Sequence, residues 1–336
     1  MRIGFTYDLR SEYLAAGFGH EETAEFDSET TIDAIEGVLS RLGFAVDRIG
    51  HARRLAERLA AGERWDLVFN IAEGVKGRSR EAQVPALLEV FDVPYVFSDP
   101  LTMAAALDKA VAKRLVRDAG VATAPFAVLS SPDDAAAVDL PFPLFLKPVA
   151  EGTGKGCGPR SRVETRSELE REVGMLLARF AQPVLAETFL PGREFTVGII
   201  GNGREARVVG VMEIHHLEDT GDAVYSFETK EHWKGRIRYA LAGDGEATAA
   251  GASALRAYGV LGCRDAARLD FRSDADGVPQ FLEANPLSGL CPDYSDLPIL
   301  AGLAGLPYEA FMGEIMRAAI GRLGLGFSRS ASSTAA

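Results

Sequence analysis

The segment AARLDFRSDADGVPQFLEANP, residues 266–286, narrows what this chain can fold into more than any other stretch. Its two halves alternate apolar and polar residues with the period of a half-buried strand. Between them, Asp276-Gly277 is a favoured dipeptide for a two-residue hairpin turn. Antiparallel pairing about that turn places Asp270 opposite Glu283 and Arg268 opposite Asn285. These four side chains then share one face, with Leu269, Phe271, Leu282 and Ala284 on the other. Two directly opposed carboxylates repel and weaken a sheet, and a buried carboxylate is costly unless its charge is met. The pattern therefore demands positive charge on that face.

A hard divalent cation answers the demand, because Mg²⁺ takes oxygen ligands from one or two carboxylates together with phosphates. Asn285 adds a neutral oxygen, and Arg268 beside it suits a phosphate or a developing negative charge. The alternative is an Arg–Asp–Glu ion-pair cluster on a solvated sheet face. The net charge of −12 argues against a nucleic-acid backbone as partner, while leaving room for a phosphate-bearing small molecule. With 336 residues the chain is long enough for two or three domains with real cores. No apolar run reaches the ~18 residues of a membrane span, and MRIGFTYDLR reads as a first strand rather than a signal peptide. Three scattered cysteines, Cys157, Cys263 and Cys291, make neither a disulfide framework nor a zinc site. A reduced, cytoplasmic enzyme is the expectation.

The first hundred or so residues alternate strand-like and helical patterns, which predicts a parallel sheet with helices on both faces. RIGFTYDL, FAVDRIG, WDLVFNIAEG and PYVFSD are the expected strands. MAAALDKAVAKRLVRDAG reads as one helix, after which the style changes. FAVLS and PFPLFLKPV are strands, followed by a Gly-rich stretch and the helix TRSELEREVGMLLARFA. From PVLAETFL onward the strands (EFTVGIIG, ARVVGVMEIHH, AARLDFRS, VPQFLEAN) look antiparallel, and YEAFMGEIMRAAIGRL is a closing helix. The fold class is α/β, becoming α+β in the C-terminal half.

A metal–phosphate site needs a nucleotide cradle. There is no P-loop, and GNGREA at 201–206 lies between antiparallel strands, where a dinucleotide fingerprint has no meaning. The better candidate is LFLKPVAEGTGKGCG. Lys147 ends an apolar strand, and glycines at 152, 154, 156 and 158 let backbone N–H groups approach phosphates. A mobile surface hairpin is the competing reading, with Lys155 as a solvated charge. His215-His216 reads as a structural strand end, and Cys291 as lining without a histidine partner.

Together these residues resemble an ATP-grasp enzyme. Lys109 in LDKAVAKRLV, Lys147 in FLKP, the Gly-rich loop, Glu187 in LAETFL, Glu194 in PGREFTVGIIG, RLDF and LEANPLSGL occur in that family's order. More closely, the chain is similar to the D-alanine–D-alanine ligase family over about residues 85–310. The changes of pattern along the chain put boundaries near residues 105 and 190. With the resemblance they imply an N-terminal parallel α/β domain (1–105), a central lid (106–190) and a C-terminal antiparallel catalytic domain (191–325), while the composition of the end predicts a disordered tail (326–336). The resemblance implies the three-domain ATP-grasp fold. It implies ATP and two Mg²⁺ as cofactors, with Mn²⁺ an acceptable substitute. Lys109, Lys147 and Thr153 would contact the nucleotide phosphates. Glu187, Phe189 and Leu190 would hold adenine, and Glu194 ribose. Asp270, Glu283 and Asn285 would bind metal, while Arg268 and the Gly289 N–H face the oxyanion. Lys230 and Ser295 would receive the carboxylate of the amine-bearing substrate. The implied activity is ATP-dependent joining of a carboxylate to an amine through an acyl phosphate, on small amino-acid-like substrates. Cell-wall biosynthesis is the implied setting, and a homodimer is expected by analogy.

The resemblance fails on the donor side. The family's Gly-Gly-x-Ser-x-Glu segment after the first strand, whose acid holds the first D-alanine's amino group, is replaced by YDLRSEYLAAGFGHEETAEFDSETT. A histidine expected at the end of the third strand is Glu73, and the residue after the pocket lysine is Glu231. The donor is therefore expected to be held by other groups, with Glu73, Arg78, Arg80 and Glu81 in NIAEGVKGRSREAQ as candidates. D-alanine becomes a weaker expectation in that position. A dedicated ligase for another amino acid or small peptide, or a non-catalytic nucleotide-binding module, are the alternatives.

Overall fold

The computed structural model describes residues 1–217 and 237–326. It is built on three sheets. The first has the parallel order β2-β1-β3, from β1 (Arg2–Thr6), β2 (Ala45–Gly50) and β3 (Leu67–Asn70). Helix α1 (Arg10–Ala15) follows β1, and α2 (Glu29–Arg41) packs Ile32, Ile35, Val38 and Leu39 onto one face of the sheet. α3 (Ala52–Ala60) and α4 (Gln83–Val90) cover the other, around Trp65 and Val68. Gly4 is needed there, since a Cβ would lie 2.9 Å from the Trp65 ring.

The expected fourth strand, PYVFSD, does not form. A single parallel bridge joins Val68 to Tyr95, and then the backbone turns away at Phe97 with φ 75°. The Phe97 N–H leaves the sheet to donate to Asp265 Oδ2 at 2.8 Å. The single helix expected across residues 103–120 is also broken in two, α5 (Pro100–Leu107) and α6 (Lys109–Asp118). Asp108 leaves helical geometry (ψ 98°) to cap α6, accepting from Val111 N. The break lets the Lys109 N–H dock on the Val149 carbonyl at 3.1 Å and aims its side chain inward.

The second sheet, order β4-β7-β5-β6, is antiparallel and comprises β4 (Phe126–Leu129), β5 (Leu144–Pro148), β6 (Arg162–Val163) and β7 (Val184–Thr188). Helix α7 (Arg166–Phe180) seals it with Leu169 and Val173. The third sheet is antiparallel, β10-β9-β8-β11-β12, from β8 (Glu194–Ile200), β9 (Arg207–His216), β10 (Ile237–Leu241), β11 (Ala266–Ser273) and β12 (Pro279–Asn285). Helix α8 (Gly245–Leu261) buries a small-residue face on one side of it. The opposite side carries α9 (Asp296–Leu303), where a Cβ at Gly198 would meet Leu297 at 2.8 Å. The final helix, α10 (Tyr308–Arg322), returns to the first sheet's core. Among the described residues no helix is long and apolar enough to cross a membrane.

The β11–β12 hairpin reaches the expected site register by an unexpected route. Arg268 pairs with Asn285 and Asp270 with Glu283, but the turn is not two residues at 276–277. Asp274 N–H donates to Val278 O, Gly277 N–H donates to Asp274 O, and Gly277 sits at φ 78°, which makes a longer loop. A bulge at Leu282 then restores the register, because Phe271 pairs with Phe281 and Asp270 with Glu283. The Phe281 carbonyl at the bulge accepts from Lys113 Nζ at 2.9 Å and Thr123 Oγ1 at 2.8 Å. Leu282 is consequently turned away from the core expected for it and lines a cavity.

Asp265, fully buried, joins the three parts of the chain that meet behind this hairpin. Its carboxylate accepts from Phe97 N, from Asn202 Nδ2 (2.9 Å), and from Arg322 through Nε (2.9 Å) and a terminal nitrogen (2.7 Å). Removing one member of a buried pair strands the other's charge. Asp265→Ala is therefore expected to destabilise the protein by about 3–5 kcal/mol, read as a lowered urea midpoint. A variant with an unchanged midpoint would contradict that role.

Candidate active site

Two cavities meet on the polar face of the β11–β12 hairpin. The first, about 120 Å³, lies between the second and third sheets and is lined by Lys147, Glu187, Phe189, Leu190, Glu194, Asp270 and Leu282 among others. The second, about 420 Å³, opens toward the first sheet and is lined by Glu73, Glu81, Thr153, Arg268, Asn285, Gly289 and Ser295 among others. Lys109, Glu151, Gly152, Glu283 and Asp296 line both. The hairpin carboxylate Glu283 thus stands at the junction.

Protein cations meet the charge that the hairpin concentrates. Lys109 Nζ lies 3.1 Å from Glu283 Oε2, and it also donates to the Glu151 carbonyl. Arg268 lies 3.0 Å from Asp270 Oδ2 and 2.9 Å from Asp296 Oδ2. Thr196 Oγ1 donates to Asp270 Oδ1 at 2.9 Å, and Asn285 Nδ2 to Oδ2 at 3.1 Å. The Arg268 and Asp270 side chains are only 12% and 14% exposed, so this is not a cluster on a solvated face. Two carboxylates and an amide at one spot are a hard-oxygen donor set, which fits Mg²⁺. The amide nitrogen of Asn285 faces Asp270, so offering its oxygen requires the amide to turn over.

Glu187, next to last in β7, is sandwiched between lysines. Lys147 Nζ is 2.7 Å from Oε1 and Lys113 Nζ 2.8 Å from Oε2. Burial pushes the Glu187 carboxyl upward, but the two ammonium groups outweigh it and hold it at about 2. Burial lowers Lys113 to about 8, with Glu187 opposing. Lys113 was not anticipated, although it sits four residues after Lys109 on the same helix, a spacing that places both on one face. Next to Glu187, the Phe189 ring has the Arg162 guanidinium 4.6 Å from its centroid and that of Arg272 at 5.5 Å. Arg272 also lies 3.5 Å from Glu194 Oε2.

The Gly-rich loop is tied to the first sheet's domain by a residue the sequence did not reveal. Glu25 accepts from Gly152 N at 2.7 Å, from Lys155 Nζ at 2.9 Å and from Arg80 at 3.1 Å. Lys155 is therefore buried and paired rather than solvated, with Glu151 as its second partner. Thr153, expected beside the nucleotide, takes φ 53° and faces the second cavity instead. The donor candidates separate. Glu73 and Glu81 line the second cavity; Arg80 is buried behind it on Glu25 and the Ala150 carbonyl (2.9 Å). Arg78 is not there at all: its side chain, 72% exposed, pairs with the α6 cap Asp108. Burial raises Glu81, and burial with Glu81 beside it raises Glu73 well above the usual carboxylate range.

On the far wall, Ser295 Oγ accepts from Cys291 N at 3.1 Å, and a Cβ at Gly289 would come within 2.7 Å of that hydroxyl oxygen. Asp296, which the sequence reading passed over beside Ser295, accepts from Tyr239 OH at 3.0 Å and so ties α9 to β10. Lys230 and Glu231 lie outside the described residues. His215 has a carboxylate, Glu213, 3.6 Å from Nε2, and among the described residues no three or more His, Cys, Asp or Glu side chains are grouped to hold a metal.

A family model described as the D-ala D-ala ligase C-terminus matches residues 115–317. The D-alanine–D-alanine ligase of Cupriavidus necator is 35% identical over 301 residues, 87% of this chain and 88% of that protein. This chain belongs to the D-alanine–D-alanine ligase family. An uncharacterized protein of Sinorhizobium fredii, y4sG, is 32% identical over 257 residues, 74% of this chain and 73% of its own length. The crystal structure of the Bacillus anthracis family member complexed with ATP superposes with a TM-score of 0.72 at 21% identity, covering 97% of this chain and all of that one. The architecture is the family's three-domain ATP-grasp fold.

The Glu187 sandwich gives a stability test. Because its folded pKa lies below the ordinary value near 4.5, its contribution is complete above that pH and is lost as pH falls toward 2. Glu187→Gln is expected to cost about 3–5 kcal/mol at neutral pH, since it leaves buried lysines unpaired. Its stability should also fall less steeply than wild type's between those pH values. Parallel acid-unfolding curves would contradict the assignment.

Proposed function

We propose that the protein is an ATP-dependent carboxylate–amine ligase of the D-alanine–D-alanine ligase type, joining two small amino-acid-like substrates. The observation that carries this reading is the position of Glu283, with Lys109, at the junction of the two cavities. The first cavity suits a nucleotide: Leu190 and Leu282 supply apolar walls for a base with Phe189, and Glu194 a ribose acceptor. Lys147 and Lys109 supply cations toward the phosphates. The second cavity suits the acid and the amine.

A carboxylate cannot be attacked directly by an amine, because oxide would have to leave. Its oxygen instead attacks the γ-phosphorus, the bond to the β–γ bridging oxygen breaks, and ADP departs. The amine nitrogen then attacks the acyl carbon, phosphate leaves, and the nitrogen gives up a proton. Little covalent work falls to the protein, so positioning and charge neutralisation dominate. Asp270, Glu283 and Asn285 would hold Mg²⁺, which supplies charge neutralisation at the transferring phosphoryl group. Arg268 and the Gly289 N–H would face the oxyanion of the second step, and Ser295 with Lys230 would receive the acceptor carboxylate. The Gly-rich loop, fastened through Glu25, keeps water from the acyl phosphate.

Two variants test this reading by ADP release with D-alanine and a panel of D- and L-amino acids. Glu283→Gln should keep its fold and lose most turnover at saturating Mg²⁺; normal turnover would contradict the metal assignment. Arg268→Ala should lower kcat by about 10²–10³ with little change in ATP affinity. A loss confined to ATP affinity would move Arg268 to the nucleotide.

A further inference from the structure

The second cavity contains acids that neither the fold nor the nucleotide chemistry uses. Glu81 is 9% exposed and faces this cavity, and Glu73 lines it alongside. Among the described residues neither carboxylate has a hydrogen-bond or ion-pair partner. Arg80, the strongest attractive charge on Glu81, is engaged by Glu25 and the Ala150 carbonyl. A buried carboxyl without a partner, such as that of Glu81, is rare and calls for a ligand or a function; Glu73 beside it is half-buried.

The other acids near this wall are engaged. Glu25 reaches the Gly-rich loop from the segment after β1 and is saturated by Lys155, Arg80 and the Gly152 N–H. Asp8 accepts from Tyr13 OH at 2.5 Å and from Gly74 N at 2.8 Å. Asp27 has Thr31 as a hydrogen-bond partner. An ammonium group entering the cavity therefore finds open acceptors at Glu73 and Glu81.

We propose that Glu73 and Glu81 form the receptor for a cationic ammonium group on the carboxylate-bearing substrate, replacing the acid that would follow the first strand. The inference rests on the ligase reading and specifies its donor: an acid carrying a primary ammonium, with the carboxylate toward Glu283 and Lys109 and the nitrogen toward β3. Glu73 comes from the segment after β3 and Glu81 from the short turn before α4, so both belong to the first sheet's part of the chain rather than to the Gly-rich loop. An ammonium offers three donors, enough to reach both residues at once.

The test is a competition between matched acids, with D-alanine as the amine and the products resolved by mass. The pairs are D-alanine and D-lactate, β-alanine and 3-hydroxypropanoate, and 4-aminobutanoate and 4-hydroxybutanoate. The wild type should incorporate at least one amino acid in strong preference to its hydroxy partner. Glu81→Gln and Glu73→Gln should reduce that preference about 10- to 100-fold, the worth of a charge-assisted contact, while the KM for ATP stays unchanged. A general loss of structure lowers both members of a pair together and leaves their ratio intact. Glu81→Gln, close in shape to a carboxyl that burial keeps largely protonated, should also melt no lower than wild type. An unchanged ratio in both variants, or equal use of the amino and hydroxy acids by the wild type, overturns the proposal. If no acid of any kind is incorporated although ATP binds, the ligase reading itself falls, and the inference with it.

Discussion

Asp270 and Glu283 face each other across two strands, and the charge they concentrate organises everything around them. Like charges in that position must be neutralised or the sheet is weakened. Lys109 answers Glu283 from the N-terminus of α6, and Arg268 answers Asp270 from within the hairpin. Lys109 can reach Glu283 only because the helix containing it breaks at Asp108. A third carboxylate, Asp296, then holds the other end of Arg268 and fastens α9 to the sheet. The centre is thus a chain of alternating charge running from α6 to α9.

Much of this centre was legible in the sequence, partly through compensating errors. A two-residue turn and an unbroken strand give the pairing of Asp270 with Glu283; so do the longer turn and the bulge that the chain adopts. Asp276-Gly277 reads identically in either turn, and the bulge depends on Lys113 and Thr123 capturing the Phe281 carbonyl, contacts that are remote in sequence. Leu282 was assigned to the wrong face for that reason. The break at Asp108 was missed because the apolar periodicity continues through it, and only the Asp cap signalled a new start. PYVFSD has strand composition, but its next hydrogen bond goes to Asp265 far along the chain. Helices α8 and α9 were passed over: the first is mostly Ala and Gly on its buried face, and the second is short and apolar almost throughout.

The donor side was the least legible, since its structure is set by tertiary ion pairing. Glu25 sits in a loop with no strong pattern, and nothing local marks it as the residue that fastens the Gly-rich loop. Lys155 looks like a surface charge until Glu25 and Glu151 are seen beside it. Arg78 and Arg80 are two residues apart but face opposite surroundings, one exposed and paired with the α6 cap Asp108 and one buried under the loop. Lys147, Glu187, Phe189, Leu190 and Glu194, which match the family's motifs, all line the first cavity, whereas Thr153 lines the second beside Glu73 and Glu81.

The central claim is that a carboxylate is activated by phosphoryl transfer where the two cavities join at Glu283. Supplying the acid with ¹⁸O in its carboxylate tests it most directly, because acyl-phosphate chemistry moves one carboxylate oxygen into inorganic phosphate. The account predicts ADP and singly labelled phosphate in step with the amide product. Unlabelled phosphate, or release of AMP and pyrophosphate, would contradict it.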